Sequence, residues 1–362
     1  MRSTATPIEE AAMRRAVVLA ARGLGATSPN PVVGCVVLDT GGRVTGEGWH
    51  QSAGGPHAEV AALAAAGAGA RGGTAVVTLE PCAHTGRTPP CVDALLAAGV
   101  ARVVYAVADP TARAGGGAAR LAAAGVEVVA DVGAGGAEAV NEAWLTRART
   151  GRPHVHWKFA ATLDGRSAAP DGTSRWISSP DSRAEVHDLR RRVDAVMVGV
   201  GTVLADDPSL TARGPDGVPS GRQPLRVVVD SVGRTPSDAA VRDAAAPTWV
   251  ATAADVGGDP AGRVDLHRLL AVLADRGVVS VLLEGGPTLA GAMLAAGLVD
   301  RVTAYVAPAL LGAGAAALGP AGVTTLADAF LLQVDATGVV GGDIRVTGRP
   351  RPGGGRRWGQ GG

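Results

Sequence analysis

The chain has 362 residues, enough for two domains of ordinary size, and 46% of them are hydrophobic while 19% are charged, which is typical of a globular protein. A formal net charge of +1 argues against a nucleic-acid-binding protein, because phosphate-binding surfaces normally carry a basic excess. No segment is apolar for long enough to cross a bilayer, so we expect a cytoplasmic protein that acts on a small molecule.

Helical and β-rich segments alternate through the first 150 residues, which predicts an α/β fold. The predicted helices span residues 8–24, 57–66 and 92–98, and the predicted strands span residues 32–38, 74–79 and 102–107.

Residues 57–59 read His-Ala-Glu, and residues 81–91 begin with Pro-Cys and end with a second cysteine. His57, Cys82 and Cys91 can supply three ligands to a tetrahedral Zn²⁺ and leave the fourth position to a water molecule, whose pKa the metal lowers. Glu59 can carry a proton from that water to a departing amino group. The pattern is that of zinc deaminases, except that eight residues rather than two separate the cysteines.

Alternatives to a catalytic zinc site are a structural zinc or a cluster of buried thiols, with Glu59 as an ordinary solvated helix residue. The third cysteine, Cys35, lies in an apolar run and is predicted to pack in the core. His50 and His84 are candidates for substrate contact, and His84 is the better one because it lies between the two cysteines.

A polar, basic segment at residues 146–153 separates the halves, so we predict domains at residues 1–150 and 151–348. Residues 349–362 consist almost entirely of Gly, Arg and Pro and are predicted to be a disordered tail. In the second half, strands are predicted at residues 154–160, 195–198, 225–230, 278–283 and 301–306, and helices at 182–191, 266–275 and 288–295.

Taken together, these motifs resemble the bifunctional deaminase-reductases of riboflavin biosynthesis, and the resemblance extends to about residue 346. The wider cysteine spacing is what this family has. The stretches that carry the resemblance are residues 30–35 (NPVVGC), 57–60 (HAEV), 78–82 (TLEPC), 86–91 (GRTPPC), 163–166 (LDGR), 174–177 (SRWI), 202–208 (TVLADDP) and 284–291 (EGGPTLAG).

The resemblance implies a cytidine-deaminase-like three-layer α/β/α domain followed by a dihydrofolate-reductase-like α/β domain. It implies zinc-dependent removal of the 2-amino group of a diaminopyrimidine ribosyl phosphate, and then NADPH-dependent reduction of the ribosyl ring to a ribityl chain. It also implies a homo-oligomer formed through the reductase domains. One departure is the segment at residues 111–117 (TARAGGG), which is shortened; it is either a harmless loop change or a change in how the phosphoribosyl tail is held.

The resemblance also assigns reductase residues by position. Cofactor contacts fall on Ala160, Trp176, Thr202, Gly286, Pro287, Thr288, Leu289, Ala290, Gly291 and Ala292, and substrate contacts fall on Ser174, Arg190, Asp206, Leu210, Arg213 and Glu284.

Several of these assignments have a physical basis. Backbone N–H groups before Thr288 can hold a pyrophosphate, and Arg190 and Arg213 suit a phosphate clamp. Asp206 lies in a predicted loop, where the alternative is a turn or cap residue; it is also a catalytic candidate.

Lys158 is the only lysine in the chain, although arginine occupies the other basic positions. A lysine can lower its pKa on burial and donate a proton in a tight pocket, so we predict a catalytic role opposite Glu284. The alternatives are chance survival or a lysine at a strand edge.

Two other functional hypotheses remain at this point. One is a single-activity enzyme with one degenerate half. The other is a non-catalytic, zinc-stabilised binding or assembly protein.

Overall fold

The structure, a computed structural model, describes residues 4–85, 89–112 and 114–351. The chain divides into two compact units, Met1–Gly151 and Arg152–Gly362. Each unit has buried hydrophobic cores of its own. Within the described ranges, no helix is both long and apolar enough to span a membrane.

The first unit contains a five-stranded sheet with the order β2-β1-β3-β4-β5. Strand β1 is antiparallel to β2 and β3, whereas β3, β4 and β5 run parallel. The elements are α1 (Pro7–Ala21), β1 (Gly34–Leu38), β2 (Val44–Trp49), α2 (Ala58–Ala66), β3 (Thr74–Leu79), α3 (Cys91–Ala98), β4 (Arg102–Val107), α4 (Gly117–Ala123), β5 (Glu127–Val129), α5 (Ala134–Val140) and α6 (Glu142–Thr150).

Strand β1 is buried on both faces because successive side chains of a strand point in opposite directions. Val36 belongs to the core that α1 covers, whereas Cys35 and Val37 belong to the core that α2 and α3 cover. The predicted three-layer α/β/α arrangement is therefore confirmed. The prediction that Cys35 packs in the core is confirmed as well.

Gly48 of β2 sets the position of α2. A Cβ at this residue would lie 2.5 Å from the backbone nitrogen of Ala62 and 2.6 Å from the carbonyl oxygen of Ala58. Any side chain would push the helix away from the sheet. Glycine here therefore determines where the first turn of α2, which carries Glu59, lies.

The second unit contains an eight-stranded sheet with the order β12-β13-β11-β6-β10-β7-β8-β9. The run from β11 to β9 is parallel, and β13 and β12 add antiparallel strands at one edge. The elements are β6 (His154–Thr162), α7 (Pro180–Arg192), β7 (Ala195–Gly199), α8 (Val200–Asp206), β8 (Leu225–Val229), β9 (Thr248–Ala251), α9 (Ala253–Val256), α10 (Leu266–Asp275), β10 (Ser280–Leu283), α11 (Pro287–Ala295), β11 (Arg301–Ala307), β12 (Leu331–Val340) and β13 (Asp343–Arg351).

Two predictions about the second half are wrong. Asp206 was placed in a loop, but it is the last residue of α8, and Asp207 is the C-cap with a φ of 39°. The helix escaped detection because it is short and begins among glycines, which usually indicate turns. The disordered tail was predicted from residue 349, but Arg349–Arg351 pair with β12. Ladder hydrogen bonds use backbone groups and do not require apolar side chains. The rest of the predicted tail, residues 352–362, lies outside the described residues.

Arg226 on β8 is a fully buried arginine. Its guanidinium donates to the carbonyl oxygens of Ser209 (3.2 Å) and Asp243 (2.6 Å) and to Oγ1 of Thr248 (2.8 Å), and it pairs with the Asp243 carboxylate at 2.7 Å. The side chain thereby joins β8 and β9 to the segment that follows α8.

We expect Arg226→Met to lower the free energy of unfolding by about 3 kcal/mol or more, because it leaves several buried acceptors without donors. The matched control is Arg263→Met. Arg263 pairs with Asp259 at the surface, with 69% of its side chain exposed, so this change should have a much smaller effect. Denaturant unfolding of both variants measures the difference, and equal losses would contradict the assignment.

Candidate active sites

Three potential metal ligands meet where β3 ends. His57 is the N-cap of α2, one residue before the first turn in which the sequence placed it. Cys82 follows β3, and Cys91 is the first residue of α3. Nδ1 of His57 lies 3.1 Å from Sγ of Cys91 and 3.6 Å from Sγ of Cys82. All three ligand atoms lie within 4.8 Å of one another.

This spacing fits a tetrahedral zinc ion, which binds nitrogen at about 2.0 Å and sulfur at about 2.3 Å. The thiol of Cys91, followed by the imidazole of His57, lowers the pKa of Cys82 to about 4. The hydrogen bond to Cys82, together with burial, raises the pKa of Cys91. A divalent cation that binds here favours the thiolate form of both cysteines and displaces their protons.

Glu59 lies beside this cluster in the first turn of α2, with 3% of its surface exposed. Burial raises the pKa of its carboxyl group, and the charge of His57 partly opposes that effect. A carboxyl group with a raised pKa exchanges protons more readily near neutral pH. Glu59 is therefore suited to proton transfer next to a bound metal.

A cavity of about 480 Å³ opens onto the cluster, and His57, Glu59 and Cys82 line it. Asn30 and His50 lie on another part of the lining. Nδ1 of His50 is 2.9 Å from the carbonyl oxygen of Pro56, so it carries the proton, and Nε2 accepts from the Asn30 amide at 3.2 Å. This chain of bonds orients the amide of Asn30.

His84 lines the same cavity, and its Nδ1 is buried with no hydrogen-bond partner among the described residues. A substrate atom can supply that partner. The motif residues 86–88 that follow lie outside the described residues. Sequence reasoning missed Asn30, Asp109 and Trp144 as lining residues, although Asn30 belongs to the 30–35 motif and Asp109 follows a strand.

Lys158, Arg190 and Glu284 meet in the second unit. Nζ of Lys158 lies 3.8 Å from Oε2 of Glu284. Arg190 donates two hydrogen bonds to the same carboxylate, from Nε to Oε1 at 2.6 Å and from Nη2 to Oε2 at 3.0 Å. The predicted proximity of Lys158 and Glu284 therefore holds.

Burial and neighbouring charges together shift the pKa values of Lys158 and Glu284. Burial lowers the pKa of Lys158, and the charge of Glu284 opposes that shift. Burial alone would raise the pKa of Glu284, but Arg190 and then Lys158 bring it below its usual value. Glu284 therefore stays a carboxylate, while Lys158 releases its proton more easily than an exposed lysine.

Arg190 and Arg213, the predicted phosphate clamp, both donate to Thr211. Arg190 neutralises Glu284 because a buried carboxylate without a cation is costly, and it also donates to the carbonyl oxygen of Thr211 at 3.0 Å. Nε of Arg213 donates to Oγ1 of Thr211 at 3.1 Å. The carbonyl oxygen of Thr211 also lies 3.2 Å from Nδ1 of His187. Sequence reasoning missed Thr211 and His187 because neither residue belongs to a recognised motif.

Two of the predicted cofactor contacts, Thr202 and Gly286, lie side by side, because the backbone N–H of Gly286 donates to Oγ1 of Thr202 at 3.0 Å. Pro287 is the first residue of α11, which begins one residue before the predicted helix. Leu289 packs beneath Gly199, and Ala290 is fully buried, so the exposed part of this site is the loop and the beginning of the helix.

Other predicted reductase residues lie near α8. Oγ of Ser174 donates to Oδ1 of Asp206 at 2.8 Å. Trp176 is 69% exposed, and the guanidinium of Arg183 lies 4.4 Å from its ring centre. Leu210 is buried with a φ of 52°.

Comparisons with known proteins cover both units. Residues 7–107 match the cytidine and deoxycytidylate deaminase zinc-binding region, and residues 153–343 match the RibD C-terminal domain. The chain is 49% identical over 325 residues to the riboflavin biosynthesis protein RibD of Mycobacterium tuberculosis. This alignment covers 89% of this chain and 92% of the relative. It is 44% identical over 359 residues to RibD of Escherichia coli, and that alignment covers 93% of this chain and 98% of the relative.

Solved structures agree along the whole fold. Acinetobacter baumannii RibD superimposes with a TM-score of 0.85 at 38% identity and covers 95% of this chain and 99% of its own. A Thermotoga maritima diaminohydroxyphosphoribosylaminopyrimidine deaminase/5-amino-6-(5-phosphoribosylamino)uracil reductase gives a TM-score of 0.85 at 34% identity, with the same coverage. Because these relatives align along both units, the chain belongs to the RibD family of riboflavin biosynthesis proteins and is a bifunctional enzyme with a zinc-dependent deaminase and an NADPH-dependent reductase.

Proposed function

We propose that the enzyme deaminates 2,5-diamino-6-(5-phosphoribosylamino)pyrimidin-4-one and then reduces the ribosyl group of 5-amino-6-(5-phosphoribosylamino)uracil to ribityl. The Thermotoga maritima neighbour is named for this pair of activities. The observation that carries the proposal is the cluster of His57, Cys82 and Cys91 beside the buried carboxyl group of Glu59, at a cavity large enough for a pyrimidine.

In this proposal residues 1–150 are the deaminase. His57, Cys82 and Cys91 would hold Zn²⁺, and the bound ion would supply the Lewis acidity that makes a water molecule nucleophilic at neutral pH. As the new C–O bond forms at C2 and the C2–N bond breaks, Glu59 takes a proton from the water and passes it to the amino nitrogen. Ammonia leaves, and the ring becomes the corresponding uracil.

Residues 151–348 are the proposed reductase. The N–H groups at the start of α11 would hold the pyrophosphate of NADPH, and the bound cofactor would supply the hydride. Gly286 and Thr202, which are already joined by a hydrogen bond, form the centre of this cofactor site. The further proposed cofactor contacts are Ala160, Trp176, Pro287, Thr288, Leu289, Ala290, Gly291 and Ala292.

Lys158 would give a proton to the ribosyl ring oxygen as the bond of that oxygen to C1′ breaks and hydride is added at C1′. Glu284 holds Lys158 in place by charge. Asp206, which Ser174 orients, is the second candidate for a catalytic group. The proposed substrate contacts are Ser174, Arg190, Asp206, Leu210, Arg213 and Glu284.

We further propose a homo-oligomer formed through the reductase units. Strand β12 lies at the edge of its sheet, is ten residues long and is exposed along most of residues 333–337. The unpaired backbone groups of such an edge favour pairing with another chain. Val339, at 75% exposure, adds apolar surface to the same strand. The cytoplasmic location expected from the sequence stays a prediction.

We expect one zinc ion per chain. The Cys82→Ser, Cys91→Ser double variant should lose it, because serine does not supply the thiolate ligands that zinc requires. Cys35→Ala, which alters a buried cysteine in the core of the same unit, should keep the metal. Elemental analysis of the purified proteins tests the ligand set, and stoichiometric zinc in the double variant would contradict it.

Product analysis tests the two activities together. With the diaminopyrimidine phosphate and NADPH, the enzyme should release ammonia and form the ribityl product; without NADPH it should stop at the uracil. Glu59→Gln should retain zinc yet release ammonia at least about a hundredfold more slowly, because the proton carrier is lost. Glu10→Gln, at an exposed site on α1, is the matched control. Normal ammonia release by Glu59→Gln would remove the proton-transfer role.

Lys158→Arg keeps the charge but replaces a group that can give up a proton with one that stays protonated. We expect the reductase turnover to fall at least about tenfold, or roughly 1.4 kcal/mol in barrier. Deamination by the same preparation should be unchanged, which also shows that the protein is intact. Near-normal NADPH oxidation by a folded Lys158→Arg variant would leave Lys158 without a catalytic role.

A further inference from the structure

One wall of the deaminase cavity comes from the segment that follows β4. We call residues 109–118 the wall segment; residue 113 is not among the described residues. Asp109, Thr111 and Ala114 of this segment line the cavity. Oδ1 of Asp109 accepts from the backbone N–H and the hydroxyl of Thr111, at 2.8 and 2.6 Å. The polar side chains of the wall therefore form a closed turn.

Glu80, which also lines the cavity, holds this wall segment through backbone N–H groups. Its carboxylate accepts three backbone N–H groups, from Asp109 to Oε2 at 3.1 Å and from Gly116 and Ala118 to Oε1 at 3.1 and 2.9 Å. Glu80 is 7% exposed and, among the residues that the structure describes, makes no ion pair. The three amides thus replace the hydration that its charge has lost.

The wall segment also packs against the loop that carries Cys82. The backbone N–H of Ala83 donates to the carbonyl oxygen of Ala114 at 3.2 Å. At Gly117, a Cβ would lie 1.7 Å from the carbonyl oxygen of Pro81, so the backbones approach too closely for any side chain. The wall segment that Glu80 holds therefore lies directly against the loop that carries Cys82.

We propose that Glu80 is a positioning residue that determines how tightly the deaminase binds the ribosyl phosphate part of its substrate. The inference rests on the proposed deaminase function. The reacting amino group must reach Glu59 and the metal cluster, so the rest of the substrate lies along other parts of the cavity. The wall segment offers it the polar groups of Asp109 and Thr111. Glu80 acts through that wall and takes no part in the chemistry.

The test is Glu80→Gln in the full-length zinc enzyme. Glutamine keeps the size of the side chain, but its NH₂ group cannot accept a hydrogen bond, so one end of the wall segment is released. We expect KM for the ribosyl phosphate substrate to rise about tenfold while kcat stays within about threefold. The corresponding triaminopyrimidinone without ribosyl phosphate should be deaminated as well by the variant as by the parent enzyme.

Glu9→Gln is the matched control. Glu9 is also buried, at 4% exposure, and it also accepts a backbone N–H, from Thr6 at 2.7 Å. It pairs with Arg102 at 2.6 Å and does not line the cavity. This change should lower the stability of the same unit without altering KM. Reductase activity and zinc content show that each preparation is intact.

An unchanged KM in Glu80→Gln, or a loss confined to kcat, would overturn the proposal, as would an equal loss on the substrate without ribosyl phosphate. Asp109→Asn keeps all three bonds to Glu80 but weakens the turn at Thr111, and it should raise KM in the same way. If Glu80→Gln does not fold, an unchanged KM in Asp109→Asn overturns the proposal instead. A parent enzyme that releases no ammonia would refute the proposed function itself, which separates the two failures.

Discussion

The parallel pairing of neighbouring strands determines where the chemistry of each unit lies. Strands β3 and β4 run parallel, so the residues that follow them, Cys82 and Asp109, leave the sheet at the same edge. Strands β7 and β10 are also parallel, and the backbone N–H of Glu284 donates to the carbonyl oxygen of Met197 at 2.9 Å. Loops at the carboxyl ends of parallel strands are where open α/β sheets bind ligands. Each active site uses residues from several such loops.

Both sites also depend on glutamates removed from water, and the partners of each glutamate determine what it can do. Glu284 has two cations beside it and stays charged. Glu59 has less charge compensation, so burial raises its pKa, which suits the proton transfer proposed for it. Glu80 has only backbone amides among the described residues, and its bonds hold a cavity wall. Burying a carboxylate costs free energy, and the three sites offset that cost with different partners. The same residue type therefore serves three purposes.

The fold could be predicted where side-chain pattern follows backbone structure. Buried strands such as β3 and β4 are rich in β-branched residues, and their predicted bounds are those observed. Strand β12 was missed because most of its side chains are exposed, and β13 was missed because its residues are mixed in polarity and form no apolar stripe. Helix α8 was missed because glycines surround its beginning. Lys158 was singled out by the composition of the chain, since no other lysine is present.

By itself, the sequence identified His57, Cys82 and Cys91 as potential metal ligands with Glu59 nearby, and it predicted the layered α/β architecture. These depend on residue chemistry and on short spacings that persist in any fold of the segment. Only the tertiary structure decided that Arg190 neutralises Glu284, 94 residues away, and that Glu80 binds amides 29 to 38 residues further along the chain. Which charges pair depends on distances that exist only after folding. Every residue except proline carries the same backbone N–H group, so the sequence does not show which amides a carboxylate will bind.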